Sequence, residues 1–320
     1  MGSPLAVRTG VATAREVAGW SRAALDMSLE SGAELWVHEV TTPALVLGAF
    51  ERVSLAEPGR LAGGAALAVL RRGSGGPSVL VAPGTVHVAL ALAHAGALTE
   101  CPPGKLVNRY VRPLLRALTG LGATARYFGR DWVSVESRPA AWIGFGHDAA
   151  SGRSLVEAFV AVDAPFAPGP RASFLGKEPG TLAAITHREI PPARVVAAVT
   201  EAYARAYARE PIRAPPLHPG PVDVDVPDDP PWRATAEEVI GLVGAGRDRE
   251  GTLRLGGALL ASRDAVHEAE RRAATIGPDA DELGHMVSAI FRAPGVTLDG
   301  VRKLDTLRDV LLRAMVSTAA

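Results

Sequence analysis

Leu70-Arg71-Arg72-Gly73-Ser74-Gly75-Gly76 is the stretch on which the fold turns. It closes a strand candidate, Ala66 to Arg71, and opens a glycine-rich loop that reaches Pro77 before Ser78 to Ala82 resumes an extended pattern. Glycines at this density mark a turn or a close approach of the backbone to something else. One chemical reading is that exposed backbone N–H groups hold an anion, with Arg71 and Arg72 adding forked charge. The plain reading is a turn between two strands. The spacing matches neither a P-loop, which ends in Lys-Ser/Thr, nor a dinucleotide fingerprint.

Upstream, Val17, Trp20, Ala24 and Met27 recur at helical spacing and predict a helix within Thr13 to Gly32. Glu34 to His38 and Ala44 to Leu47 read as short strands separated by Pro43. Downstream, Thr85 to Ala93 is a further strand candidate. Leu106, Tyr110, Leu114 and Leu118 share one face of a helix from Leu106 to Leu121, in which Pro113 predicts a kink or a fresh start. Strands are predicted at Ala123 to Phe128, Trp132 to Val135, Ala141 to Phe145 and Leu155 to Val162. The last is apolar on both faces apart from Glu157, the pattern of a strand covered on both sides. An irregular stretch runs from Pro165 to Pro179, and a helix from Pro192 to Arg209.

Pro211 to Pro231 holds eight prolines and no long apolar run. It reads as a linker, or as a strap along the surface. It divides the chain into residues 1–210 and a compact unit at 232–320, where one or two strands in Thr252 to Leu260 precede three helices. The last helix carries Leu304, Leu307, Leu311 and Met315 on one stripe.

The 34 basic and 34 acidic side chains cancel. No basic excess exists to attract a nucleic acid. The one cysteine, Cys101, forms no internal disulfide, which fits a cytoplasmic protein. The start, Met1-Gly2-Ser3-Pro4, lacks the apolar core of a signal peptide, and the apolar run from Val86 to Ala97 is too short to span a bilayer. The histidines show no metal-ligand spacing, so no metal site is expected.

The loop resembles the Arg-Arg-x-Ser-Gly-Gly-Gly signature of the lipoate-protein ligase A and lipoyl/octanoyl transferase family. Other landmarks follow in family order. Leu25-Asp26, Pro43 to Gly48, Gly129-Arg130-Asp131 with Trp132-Val133, and Leu182 to Thr186 resemble its successive elements, and the unit after Trp232 resembles its accessory domain. The resemblance implies an α+β protein with the class II synthetase-like biotin/lipoate ligase fold. In that fold a central mixed β-sheet is flanked by helices, and here a small C-terminal α+β domain would follow. It further implies ATP with Mg2+, a lipoate-like or other carboxylic acid, and a small acyl-carrier or lipoyl domain as partner. Arg71, Arg72, Ser74, Gly75, Gly76, Asp131 and Trp142 would line the nucleotide and acyl site.

The departures gather in the same place. The family's lysine position is taken by Pro139, and Trp142 takes the approximate place of a small glycine. Pro77 replaces the third loop glycine, Val81 a histidine, and Leu155-Val156-Glu157-Ala158 a His-Gly-Thr stretch. Substitutes for the lysine are Arg138 and Lys177, with His147-Asp148 as an acid–base candidate and Cys101 as a nucleophile remote from the transferase position. Two expectations follow: an acyl-adenylate-forming or acyl-transferring enzyme of altered substrate or mechanism, or an inactive homologue that binds a nucleotide, a carboxylate or a lipoyl-type carrier domain.

Overall fold

The computed structural model describes residues 5–29, 32–52, 67–129, 131–164, 177–207, 212–213, 224–226 and 230–317. Arg130, most of the irregular stretch and most of the proline-rich segment lie outside them.

The chain opens with β1 (Leu5–Ala12) and α1 (Ala14–Ala23), then β2 (Ala33–Val40), β3 (Ala44–Leu47), β4 (Ala68–Arg71), β5 (Val79–Val81) and β6 (Thr85–Leu92). Helix α2 (Leu106–Gly120) leads to β7 (Ala125–Tyr127), β8 (Trp132–Val135), β9 (Arg138–His147) and β10 (Ser154–Ala161). Helices α3 (Leu182–Thr186) and α4 (Pro192–Ala206) follow, then β11 (Ile212–Arg213). The C-terminal unit comprises β12 (Ala234–Glu238), β13 (Gly241–Arg247), β14 (Leu253–Gly257), β15 (Leu260–Ala261), α5 (Arg263–Ile276), α6 (Ala280–Phe291), β16 (Leu298–Asp299) and α7 (Leu304–Val316).

Eight strands form the central sheet in the order β11-β1-β2-β6-β10-β9-β8-β7. It is mixed: β11, β1 and β2 run parallel, and every later pairing is antiparallel. Alternation along each strand sends side chains to opposite faces. Val156, Ala158 and Val160 of β10 join the core under α2 and α4, whereas Leu155, Phe159 and Ala161 join the core under α1 and the small sheet β4-β3-β5. Every position of β10 is buried, as its two-faced apolar pattern requires.

Local chemistry sets the ends of α1. Thr13 accepts from the Glu16 N–H, and Glu16 reaches back to the Thr13 N–H at 2.7 Å, a reciprocal cap. The predicted helix continued to Gly32, but α1 stops at Ala23 and the chain turns there. Pro113 does not break α2. It lies buried within one continuous helix. Strand β9 is longer than predicted because Arg138 and Pro139 pair with β8 across a bulge. Strands β1, β12 and β13 escape the sequence reading. Arg8, Thr9 and Gly10 interrupt the apolar run of the first, and charged residues or glycines break up the other two.

The proline-rich segment is tied to the fold at two described points. Ile212–Arg213 adds a parallel strand to β1, and Val224 is fully buried while its carbonyl accepts from Arg71 N–H at 2.8 Å. The C-terminal unit has its own core, in which α5 and α7 pack on β12-β13-β14 and α6 packs on those two helices.

Candidate functional site

The glycine loop is a crossing point of four elements. Arg72, 1% exposed, donates through Nε to Ser74 Oγ (2.9 Å) and through Nη1 to Val46 O (3.2 Å). Its Nη2 donates to Gly75 O (3.1 Å) and Pro77 O (2.8 Å). Glu157 lies 3.9 Å from Arg72 Nε and accepts from Ser21 Oγ (2.9 Å). His87 Nε2 lies 2.8 Å from its other oxygen. A carboxylate can only accept, so this ring nitrogen carries the proton. Ser21 in turn accepts from the Gly73 N–H at 2.8 Å. Burial pushes the Glu157 carboxyl up, but the hydrogen bond and charge of His87, the charge of Arg72 and the Ser74 hydroxyl outweigh it and hold the group below the usual carboxylate range.

Beside this network runs a rank of rings. Strand register places Trp132 opposite Trp142, Trp142 opposite Phe159, Phe159 opposite His87, and His87 opposite His38, from β8 across to β2. Cross-strand neighbours of this kind touch directly. Trp20 of α1 closes on His38 with ring centroids 4.5 Å apart, and His87 lies 5.0 Å from Phe159. The three indoles and Phe159 are buried in one cluster with Val46, Leu70, Val79 and Val81 of the small sheet. The Nδ1 atoms of both histidines are buried without a hydrogen-bond partner among the described residues.

On its outer side the loop borders a cleft of ≈ 980 Å³ between α1, the Ala49–Arg52 segment and the C-terminal unit. Arg22, Arg71, Arg254 and Arg263 enter it, over Met27, Phe50 and Trp232. The guanidinium of Arg52 stacks on Trp232 at 3.9 Å and donates to the carbonyls of Pro230 (2.7 Å) and Arg247 (3.1 Å).

No protein-family model matches the sequence, and no curated protein does. Solved structures do. P. falciparum LipL1 in complex with lipoate superposes with a TM-score of 0.60 at 10% identity, over 97% of this chain and 99% of its own. Its overlap includes the C-terminal unit. The chain carries the lipoate-protein ligase fold. Lipoate-protein ligase A bound with ATP gives a TM-score of 0.53 at 10% identity, over 67% of this chain and 89% of its own. The bipartite lipoate protein ligase of Thermoplasma acidophilum gives 0.52 at 12% identity, over 66% of this chain and 87% of its own. At such identities the likeness is one of fold, and chemistry has to be argued from the site.

Within the ligase fold the residues expected to hold nucleotide and acyl group make contacts inside the protein. Arg71 Nη1 donates to the carbonyls of Gly48 (3.2 Å), Ala49 (3.1 Å) and Glu51 (2.5 Å). The Gly75 N–H donates to Phe145 O and the Gly76 N–H to Leu259 O, each at 2.8 Å, so the loop is laced to β9 and to the C-terminal unit. Gly75 is required by close approach: a Cβ there would fall on the Leu259 carbonyl oxygen. Ser74 is buried, and Gly144 leaves room for its hydroxyl. Asp131 is buried, and its carbonyl accepts from Ile143 N–H at 2.7 Å. Trp142 packs between Trp132 and Phe159. In this arrangement the loop and β8–β9 meet protein to protein through these contacts.

The lysine substitutes stand elsewhere. Arg138 donates to the carbonyls of Glu178 (3.4 Å) and Pro179 (3.0 Å), and Lys177 lies 5.8 Å from the exposed Phe128 ring. His147 and Asp148 do not form a pair. His147 meets Ser154 Oγ (2.8 Å) and Gly295 O (3.1 Å), while Asp148 meets Arg263 (3.1 Å). Burial pushes the His147 ring down and the Cys101 thiol up, away from a reactive thiolate. Among the described residues no cluster of three or more His, Cys, Asp or Glu is placed to hold a metal ion, and no helix is long and apolar enough to cross a membrane.

Sequence reasoning missed His38, His87 and Ser21. The signal that could have found them is Glu157. A carboxylate in a strand covered on both faces must be met by donors on its neighbours, and β6 and α1 supply them.

Proposed function

We propose that this protein is a non-catalytic member of the lipoate ligase fold that acts by binding a protein partner, with a lipoyl-type carrier domain as the first partner to test. The observation that carries this reading is the rank Trp132–Trp142–Phe159–His87–His38, packed beside the closed Arg72–Glu157 network where the resemblance puts the acyl and adenylate site. Catalysis of acyl transfer depends on donors aimed at developing charge on phosphate or carbonyl oxygen. Arg72 is instead committed to three carbonyls, a hydroxyl and a buried carboxylate. Pro139, at the position the resemblance gives to lysine, has neither charge nor N–H to offer. Arg138 and Lys177 make their contacts with the 178–179 backbone and with Phe128.

The test is incubation of the protein with ATP, Mg2+, lipoate or octanoate, and a lipoyl carrier domain, followed by intact mass of the carrier. The expected result is an unmodified carrier that co-elutes with the protein in gel filtration. A carrier heavier by one acyl group contradicts the reading.

A further inference from the structure

Between Glu100 and Asp131 the sequence holds Lys105, Arg109, Arg112, Arg116, Arg126 and Arg130 and no carboxylate. In a chain whose 34 basic and 34 acidic side chains cancel, that is a local separation of charge. Helix α2 gathers the first four. At about 100° per residue its three arginines fall within about 60° of one another. Lys105 leads into them at the N-cap. All four are exposed, while Leu106, Tyr110, Leu114 and Leu118 turn the opposite face into the core. Arg188 adds a cation at the C-terminal end of the helix, where a Cβ on Gly122 would lie 3.3 Å from its Nη1. We propose that this row is the docking surface for an acidic helix of a partner protein, a proposal that rests on the binding reading above.

The row runs against what a solvated helix face gains. Other exposed helix faces mix their signs: Arg205 pairs with Glu201 on α4, Arg271 with Glu268 on α5, and Arg308 with Asp305 on α7. On α2 the charged neighbours three and four positions apart are all cations, which destabilise a helix by as much as opposite pairs support it. Lys105 at the N-cap also opposes the helix dipole, and no acidic residue in the first turn offsets it. The surroundings leave the arginines open. Among the described residues Arg109, Arg112, Arg116 and Arg188 make no ion pair. Glu201, on the helix packed against α2, is held by Arg205, and Glu136 accepts from the Thr124 N–H at 2.6 Å. Glu100 and Glu189, the exposed carboxylates next in sequence, are not paired with the row. Lys105 lies within reach of the Asp299 charge, so the arginines are the available members.

The shape of this field selects the occupant. Arg109 to Arg116 spans about 10 Å along one helix face, the reach of carboxylates at the same spacing on a facing helix. Guanidinium forks take carboxylate oxygens in pairs. An anionic membrane would also require apolar side chains beside the charges. The other exposed positions of α2 are Asn108, Thr119 and Gly120. A nucleic acid draws on a broad basic field, which a chain of zero net charge lacks. The row lies on the face of the sheet opposite the glycine loop, so a partner seated there leaves the Arg72–Glu157 network untouched.

The experiment uses the full chain and a fluorescein-labelled, alanine-based helical peptide with Glu at alternating three- and four-residue spacing. Its counterpart carries Gln at the same positions. Anisotropy is read at low and at physiological salt. Expected are saturable binding of the Glu peptide that weakens with salt and no binding of the Gln peptide. Arg112→Glu is expected to lose about tenfold or more, the scale of one charge-assisted contact. Arg272→Glu, an exposed change on α5, is expected to bind as the parent does. Thermal unfolding separates binding from folding. Arg112→Glu puts an opposite charge three residues from Arg109 and four from Arg116, so it is expected to melt no earlier than the parent. Equal binding of the two peptides, no binding of either, an unaffected Arg112→Glu, or an equal loss in Arg272→Glu overturns the proposal. So does an Arg112→Glu that melts earlier, which would make the row a support of α2 itself. Tighter binding of a single-stranded oligothymidylate or of phosphatidylserine vesicles would assign the row to phosphate and overturn it as well. Acyl transfer to a carrier in the assay above would overturn the non-catalytic reading instead, so the two failures are distinguishable.

Discussion

His87 and Glu157 face one another with 2.8 Å between Nε2 and Oε1, and both side chains are closed off from solvent. Arg72, equally buried, lies 3.9 Å from the second carboxylate oxygen. A triad of this kind is costly to desolvate and costlier to break. Glu157→Leu leaves Arg72 buried without its counter-charge and is expected to cost about 3–5 kcal/mol. Arg72→Met combined with Glu157→Leu is expected to cost less than the sum of the single changes, because it removes the charge that the first change strands. Urea unfolding of the three variants checks this. A Glu157→Leu loss below about 1 kcal/mol contradicts it.

Acid sensitivity follows from His38. Burial first, then the nearness of His87 and Arg8, bring its pKa from 6.5 down to about 3. The folded protein therefore binds fewer protons here than the unfolded chain between those values. Stability falls as pH drops through that window, by up to about 1.4 kcal/mol per pH unit. Glu157 acts in the same direction at lower pH. Its folded pKa is depressed, so its contribution is present above the ordinary carboxylate range and is lost as pH falls through the folded value. His38→Leu is expected to flatten the pH dependence of unfolding between pH 6.5 and the carboxylate range. A slope equal to that of the parent protein contradicts the assignment.

Trp142→Ala separates a packed interior from a cover over a ligand slot. With the ring held between Trp132 and Phe159, truncation is expected to cost about 3–5 kcal/mol in chemical denaturation. A loss near zero would mean that the ring lies over open space.

The glycine loop supplies a positional control. A Cβ at Gly75 would fall on the Leu259 carbonyl of the C-terminal unit, whereas one at Gly104 meets nothing within 4 Å. Gly75→Ala is expected to cost about 1–3 kcal/mol or more and to raise hydrogen exchange at the Gly76 amide, which donates to Leu259 O. Gly104→Ala is expected to stay within about 0.5 kcal/mol of the parent. Equal effects at the two positions contradict the close approach.

Much of the architecture was legible from one residue pattern. The run from Leu155 to Val162 announces a strand covered on both faces, and the ordered landmarks around Arg71 to Gly76 point to the ligase fold that the superpositions show. The short strands β12 and β13 were not legible. Their glycines and charges serve close packing under Trp232 and pairing with one another, which no periodicity reveals. At the site, sequence places Arg72, Ser74, Gly75 and Trp142 in one neighbourhood. It does not say which way the guanidinium points. That direction depends on the cross-strand register of β6, β10 and β9, which brings His87 and Gly144 opposite Phe159 and Glu157 respectively. Register is a tertiary property, and reading the buried carboxylate as a demand for donors recovers part of it.

The central claim is that the fold is kept without its adenylating chemistry. Isotope exchange between ATP and pyrophosphate, measured with Mg2+ and a panel of lipoate, octanoate and shorter carboxylic acids on folded protein, tests it most directly. The expected result is exchange indistinguishable from the protein-free blank with every acid. Acid-dependent exchange that saturates with any one of them would contradict the account.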